Sequence, residues 1–284
     1  MDRISPIDAA KLTRSLLDGE GGLAVSRIEA RARIRFTVAQ ALAQGRVTFH
    51  FQPVVRSDNP RFPAFYEMLA RLRTPEGQLL AAGSFLPLVA DGEIGRAIDR
   101  LALATALKAL AADPTLRLSI NLSPLSMGDE EWLAILGAAA RGGSGVCGRL
   151  ILEISEDAAI AQADQTIDFM QHVRAAGCAF ALDDFGAGAT GFRHLREFRF
   201  DMVKLDGTFV QDIDSRGDSQ VLVECLLKAA RHFEMLTIAE RVETKAEADW
   251  LHQRGIDCFQ GYLFGRPAAQ PQMPGVETRE RAAG

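Results

Sequence analysis

Ten side chains able to hold a metal, move a proton or bind an anion recur along the chain: Glu67, Asn121, Glu153, Asp183 with Asp184, Lys204 with Asp206, Glu240 with Glu243, and Gln260. Each closes, or directly follows, a short apolar run. Five carboxylates brought to one place, Glu67, Glu153, Asp183, Asp184 and Glu240, could not all stay ionised in a dry pocket without counter-charge. Two divalent cations and Lys204 would supply it. The donors are carboxylate oxygens and one amide, which suits a hard ion such as Mg²⁺ or Mn²⁺ better than zinc. None of the five histidines lies at a predicted strand end at this mouth, so all five read as structural or surface residues.

Each group alone has a plainer explanation. Asp183-Asp184 before Phe185-Gly186 is ordinary turn chemistry, and Asn121 before Ser123-Pro124 would simply stop a strand. Glu240 and Glu243 could open a helix, and Lys204 could pair with Asp206. These explanations do not account for the same event at seven strand ends in one chain.

The elements that must position these groups alternate. Strands are expected over 47–55, 65–72, 116–122, 150–154, 180–184, 202–206, 236–242 and 259–264. Helical patterns are expected over 26–43, 94–111, 129–141, 165–176, 191–198, 220–233 and 245–254. Eight strands alternating with helices and no linker between halves predict one (β/α)8 TIM-type barrel, whose reactive groups sit where the strands end. Only Ser57 to Pro63 separates the first two strands, so they are expected to pair antiparallel and make the barrel irregular at its start. Side chains two apart on a strand share a face. Ile151 with Glu153, Ala181 with Asp183, Met202 with Lys204 and Ile238 with Glu240 therefore each put an apolar residue in the barrel and a functional one above it.

The whole chain of 284 residues carries 32 Lys and Arg against 37 Asp and Glu, a net charge of −5, and 48% hydrophobic residues. That usage fits a globular protein and argues against polymeric nucleic acid or an anionic membrane as partners. No stretch reads as membrane-spanning, and the start has no apolar signal core. The four cysteines, Cys147, Cys178, Cys225 and Cys258, show no C-x-x-C spacing, which fits reduced thiols in the cytoplasm. Arg27, Arg31, Arg33 and Arg35 read as a solvated helix face. The expected organisation is a partly helical extension over 1–34, a barrel over 35–268 and a flexible tail over 269–284.

At its strand ends the sequence resembles the EAL-domain family, the bacterial phosphodiesterases of cyclic di-GMP. The matching segments run in family order: Phe51-Gln52-Pro53-Val54-Val55, Glu67-Met68-Leu69-Ala70-Arg71, Asn121-Leu122-Ser123-Pro124, Leu152-Glu153-Ile154-Ser155-Glu156, Asp183-Asp184-Phe185-Gly186, Lys204-Leu205-Asp206, Ala239-Glu240-Arg241-Val242-Glu243 and Gln260-Gly261-Tyr262-Leu263-Phe264. The resemblance implies hydrolysis of cyclic di-GMP to linear pGpG with two Mg²⁺ or Mn²⁺ ions per site and a water activated between them. Glu67, Asn121, Glu153 and Asp183 would hold one ion, and Asp183 with Asp184 the other. Glu240 would orient or deprotonate the water and Lys204 would assist. Gln52, Arg71, Asp206 and Gln260 would meet the substrate, while Glu156 and Glu243 would support the site. A homodimer through the loop and helix after Asp184 is also implied.

The sequence departs from the family pattern at Met68, at Ala187, Ala189, Thr190 and Gly191 in the loop after Asp184, and at Arg241, where glycine is usual. All metal and base positions are kept. Two other functions compete: a catalytically weak cyclic di-GMP receptor or adaptor on the same domain, and an enolase-like enzyme using Lys204 as base. The Glu67 and Arg71 pair and the motif order speak against the second.

Overall fold

The computed structural model describes residues 23–143, 145–187 and 196–273. The first 22 residues of the expected 1–34 extension, most of the expected helix over 191–198, and the tail beyond 273 lie outside the described residues. In chain order the elements are α1 (Leu23–Ala43), β1 (Val47–Arg56), β2 (Pro63–Arg73), β3 (Leu79–Ala81), α2 (Glu93–Ala112), β4 (Leu118–Asn121), α3 (Glu130–Arg141), β5 (Leu150–Ser155), α4 (Glu156–Ala161), α5 (Ala163–Arg174), β6 (Ala179–Phe185), β7 (Met202–Leu205), α6 (Gly207–Val210), α7 (Gly217–His232), β8 (Leu236–Ala239), α8 (Lys245–Gln253) and β9 (Cys258–Gln260).

The chain divides into two compact units, one from the described parts of 1–49 and 70–98, the other from 50–69 and the described parts of 99–284. In the first, β3 pairs antiparallel with the end of β2, Arg71 opposite Ala81. Arg31 and Arg35 of α1 both grip Asp91, at 2.5 and 2.7 Å, so two of the expected solvated arginines share one surface partner. Val38, Leu72, Phe85 and Val89 are among its deeply buried apolar residues.

The second unit is the barrel. β2, β4, β5, β6, β7, β8 and β9 run parallel in that order, and β1 pairs antiparallel with β9 and also with β2, closing an eight-stranded ring. The expected irregular start is therefore present. A link of a few residues between β1 and β2 is too short for a crossover helix, so the chain must turn straight back.

Inside the ring, Val54, Phe65, Ile151, Ala181, Ile238 and Cys258 form a buried apolar cluster, with Ala64, Ala179 and Met202 packed against it. Phe65, Ile151, Ala181, Met202, Ile238 and Cys258 each precede a polar residue by two positions. The pleat thus sets Glu67, Glu153, Asp183, Lys204, Glu240 and Gln260 one layer higher. β1 runs the other way, so there the polar partner comes first: Gln52 lies two residues before Val54.

Four strands, β4, β7, β8 and β9, end before their patterns predict, the first two by one residue. β8 ends at Ala239 rather than Val242; within the stretch that the pattern adds, Arg241 takes φ +53, outside the extended region. β9 ends at Gln260 rather than Phe264. The chain turns there, with the Phe264 N–H donating to the Gly261 carbonyl at 3.1 Å. β3 and α4 were not anticipated; a three-residue strand and a six-residue helix carry too few periods to be read.

Candidate active site

Lys204 ends its climb up β7 with its side chain only 1% exposed, ringed by carboxylates. Its Nζ lies 2.7 Å from Glu153, 2.7 Å from Glu240, 3.2 Å from Asp183 and 3.3 Å from Glu67. Burial, the largest single influence, works to lower the Lys204 pKa, but the four carboxylates outweigh it and hold the amine well above its usual range. Glu67 is bound on both oxygens. Asn121 Nδ2 donates to Oε1 at 2.9 Å, and Gln260 Nε2 donates to Oε2 at 2.6 Å. Gln260 also donates to Gln52 at 3.3 Å, and Gln52 donates to the Gly265 carbonyl at 3.2 Å. Eight of the predicted residues, Gln52, Glu67, Asn121, Glu153, Asp183, Lys204, Glu240 and Gln260, thus form one connected set.

One lysine does not neutralise four acids. Burial, then repulsion from Glu67, pushes Glu153 up to about 8 against the opposing pull of Lys204. Burial also pushes Glu240 up to about 7, with Asp183 and Glu67 adding to the shift and Lys204 opposing it. Glu153 Oε1 and Asp183 Oδ1 are buried and accept no hydrogen bond; Lys204 attracts the second of these from 3.2 Å without hydrogen-bond geometry. Asp183, Asp184 and Glu240 each place an oxygen within 4.8 Å of the others. Undonated carboxylate oxygens in a surplus of negative charge are what a hard divalent cation would satisfy, so the residues present fit such an ion.

Consecutive strand residues normally point to opposite faces, yet Asp183 and Asp184 both reach this region. The β6–β7 register shifts between Leu182 and Phe185, and Asp184 takes φ +56, which breaks the alternation where it must break. Burial, with the charges of Asp183 and Asp206, raises the Asp184 pKa; Lys204 and Arg241 oppose the shift. Glu156 Oε2 accepts the Gly186 N–H at 2.9 Å, tying down the turn after Asp184. Asp206 caps α6, accepting the Thr208 N–H at 2.9 Å and the Thr208 hydroxyl, so one of its oxygens is spent on local structure.

Glu240 lies past the end of β8 and needs its own support. The Val242 N–H donates to the Gln260 carbonyl at 3.0 Å, and a Cβ on Gly261 would lie 2.0 Å from the Val242 carbonyl oxygen, so only glycine fits there. Glu247 then accepts the N–H groups of Glu243 and Thr244, each at 2.9 Å, closing a capping box with Thr244. Thr244-Lys245-Ala246-Glu247 is a legible S/T-x-x-E signal whose role beside the site went unread. Glu243 is exposed and lines a cleft of about 310 Å³ with Gln52, Glu67, Glu240, Arg241 and Gln260. Tyr262 also lines it, stacked under the Arg266 guanidinium at 4.0 Å. A second cleft, of about 510 Å³, is lined by Glu156, Asp157, Asp184 and Asp206. Arg71 belongs to the first unit, where its Nη1 donates to the Ala70 carbonyl at 3.0 Å.

A barrel whose strand ends converge on acids around a buried lysine defines a class of cation-assisted sites. The EAL domain family matches residues 36–267, and the chain belongs to that family. It is 31% identical over 235 residues to the probable cyclic di-GMP phosphodiesterase PdeA of Escherichia coli, covering 81% of this chain and 32% of that protein. Among solved structures it is similar to the PaMucR phosphodiesterase in complex with c-di-GMP, with TM-score 0.76 and 26% identity over 83% of this chain and 97% of that one. It is also similar to the FimX EAL domain of Pseudomonas aeruginosa bound to c-di-GMP, with TM-score 0.77 and 27% identity over 84% and 98%. The chain spans about a third of the length of the first curated relatives it matches. No helix among the described residues is long and apolar enough to cross a membrane.

Proposed function

We propose that the chain hydrolyses cyclic di-GMP to linear pGpG with Mg²⁺ or Mn²⁺. The observation that carries this is the meeting of Asp183, Asp184 and Glu240, their oxygens within 4.8 Å of one another, beside the buried Lys204. Membership of the EAL family and the names of its relatives support the choice of substrate. Glu67, Asn121, Glu153 and Asp183 would hold one cation, and Asp183 with Asp184 a second. Bound there, the cations would lower the pKa of water and offset charge on the phosphate oxygens.

The chain's own residues supply the rest. Glu240 accepts a proton from the attacking water as the new P–O bond forms, the P–O3′ bond breaks, and the 3′ oxygen takes up a proton. Lys204 keeps Glu153, Asp183 and Glu240 oriented and limits their mutual repulsion. Gln260 holds Glu67 and is itself held by Gln52, and both line the first cleft with Glu243. Glu156 fixes the turn that carries Asp184. On this reading residues 35–268 carry the activity, Arg71 and Asp206 contribute to substrate binding, and the protein works in the cytoplasm. The loop and helix after Asp184, where dimer contact is expected, fall largely outside the described residues.

Purified protein given cyclic di-GMP and Mg²⁺ or Mn²⁺ should release pGpG, and EDTA should stop it. Glu67→Ala and Asp183→Asn should each abolish turnover and keep the native circular dichroism spectrum, because each removes a cation ligand rather than core packing. Cyclic di-GMP binding with no pGpG formed in any metal would replace this reading with that of a receptor.

A further inference from the structure

Arg241 occupies a position that its own chemistry does not favour. It takes φ +53, where a bulky side chain is uncommon, immediately after the candidate base Glu240. Its aliphatic stem lies flat against Gly207, for a Cβ added there would come within 2.3 Å of Arg241 Cδ. Gly207 sits between Asp206 and Thr208, which line the second cleft, whereas Arg241 itself lines the first. The side chain therefore lies at the junction of the two clefts. It is exposed and makes no hydrogen bond or close ion pair among the described residues, although its charge reaches Asp184 and opposes the rise of that carboxyl's pKa. Both clefts are otherwise acidic, and Arg241 is the one basic side chain among the described residues that line them. Lys204, the nearby alternative, is already surrounded by four carboxylates.

We infer that Arg241 is a specificity-determining residue that grips the 5′-phosphate of the linear product. This rests on the proposed hydrolysis. Breaking the P–O3′ bond turns a singly charged diester, with two free oxygens, into a terminal monoester with three free oxygens and a charge near −2. That change occurs at the phosphorus beside Glu240, one residue from Arg241. A planar guanidinium forks onto two phosphate oxygens and gains most from the more highly charged group. Arg241 thus favours the linear dinucleotide that bears a 5′-phosphate and slows its departure.

Calorimetric titration of the full chain in Mg²⁺ with pGpG and with GpG, which lacks the 5′-phosphate, tests this. The wild-type preference for pGpG should fall about tenfold in Arg241→Met, with Arg241→Lys keeping part of it. Arg241→Gly, which relieves the positive φ, should lose the preference as Arg241→Met does. An unchanged preference in Arg241→Met, or none in the wild type, overturns the inference even where cyclic di-GMP is still hydrolysed. Failure of the wild type to turn over cyclic di-GMP would remove the reading beneath it as well.

Discussion

The two sides of the barrel mouth handle negative charge differently. Around Lys204 the acids are buried, and the protein supplies its own cation and two amides, so Glu67 has a donor on each oxygen. Around Asp184 the acids are more open, and among the described residues no basic side chain lines the cleft formed by Glu156, Asp157, Asp184 and Asp206. The first arrangement can fold before any metal arrives, because the lysine lowers the cost of gathering carboxylates. The second relies on solvent and on an external cation. One site can thus be pre-formed and still respond to metal.

The largest effect should come from removing the internal cation. Lys204→Met leaves Glu67, Glu153, Asp183 and Glu240 without their shared partner and should cost about 3–5 kcal/mol in EDTA, the range for breaking a buried ion pair. Thermal denaturation checks this, and Mg²⁺ should restore part of the loss. A variant as stable as wild type in EDTA would mean that the inner acids do not need the lysine.

A smaller effect should appear as a pH dependence without mutation. Glu153 and Glu240 sit at about 8 and about 7 in the folded protein, above the ordinary carboxylate range. The native state then binds more protons than the unfolded chain between about pH 5 and 8, so stability should fall as pH rises through that window. Lys204 is charged in both states across it and adds no slope. Melting curves in EDTA should show this decline, and Mg²⁺ should flatten it by favouring the ionised acids. A flat profile in EDTA would erase the contrast between the two sides.

The smallest effect on folding should come from the open side. Asp184→Asn removes a carboxyl whose pKa is raised by burial and by Asp183 and Asp206, so its melting temperature in EDTA should equal or slightly exceed that of wild type. Its stabilisation by Mg²⁺ should be smaller than that of wild type. A fall in EDTA comparable to that of Lys204→Met would show that both sides are equally structural.

Much of this arrangement is legible in the sequence. The period-two pairing of Ile151 with Glu153 and Ile238 with Glu240 correctly separated core from mouth, since a pleated strand leaves no other choice. The short link after β1 correctly implied a reversed strand. Other features could not be read. Asp183 and Asp184 should oppose each other on a regular strand, and what aims both at one region is a register shift and a left-handed residue. Lys204 paired with Asp206 was a reasonable local guess, but the ammonium meets four acids from β2, β5, β6 and the loop after β8 instead.

By itself the sequence determined which residues face the barrel interior and which donor atoms gather near its mouth, because side-chain alternation and turn chemistry are local. Only the tertiary structure decided which of those atoms touch. Distances across a closed ring depend on the register of every neighbouring strand. Burial, which moves Glu153 and Glu240 far from ordinary acids, is a property of everything packed around them.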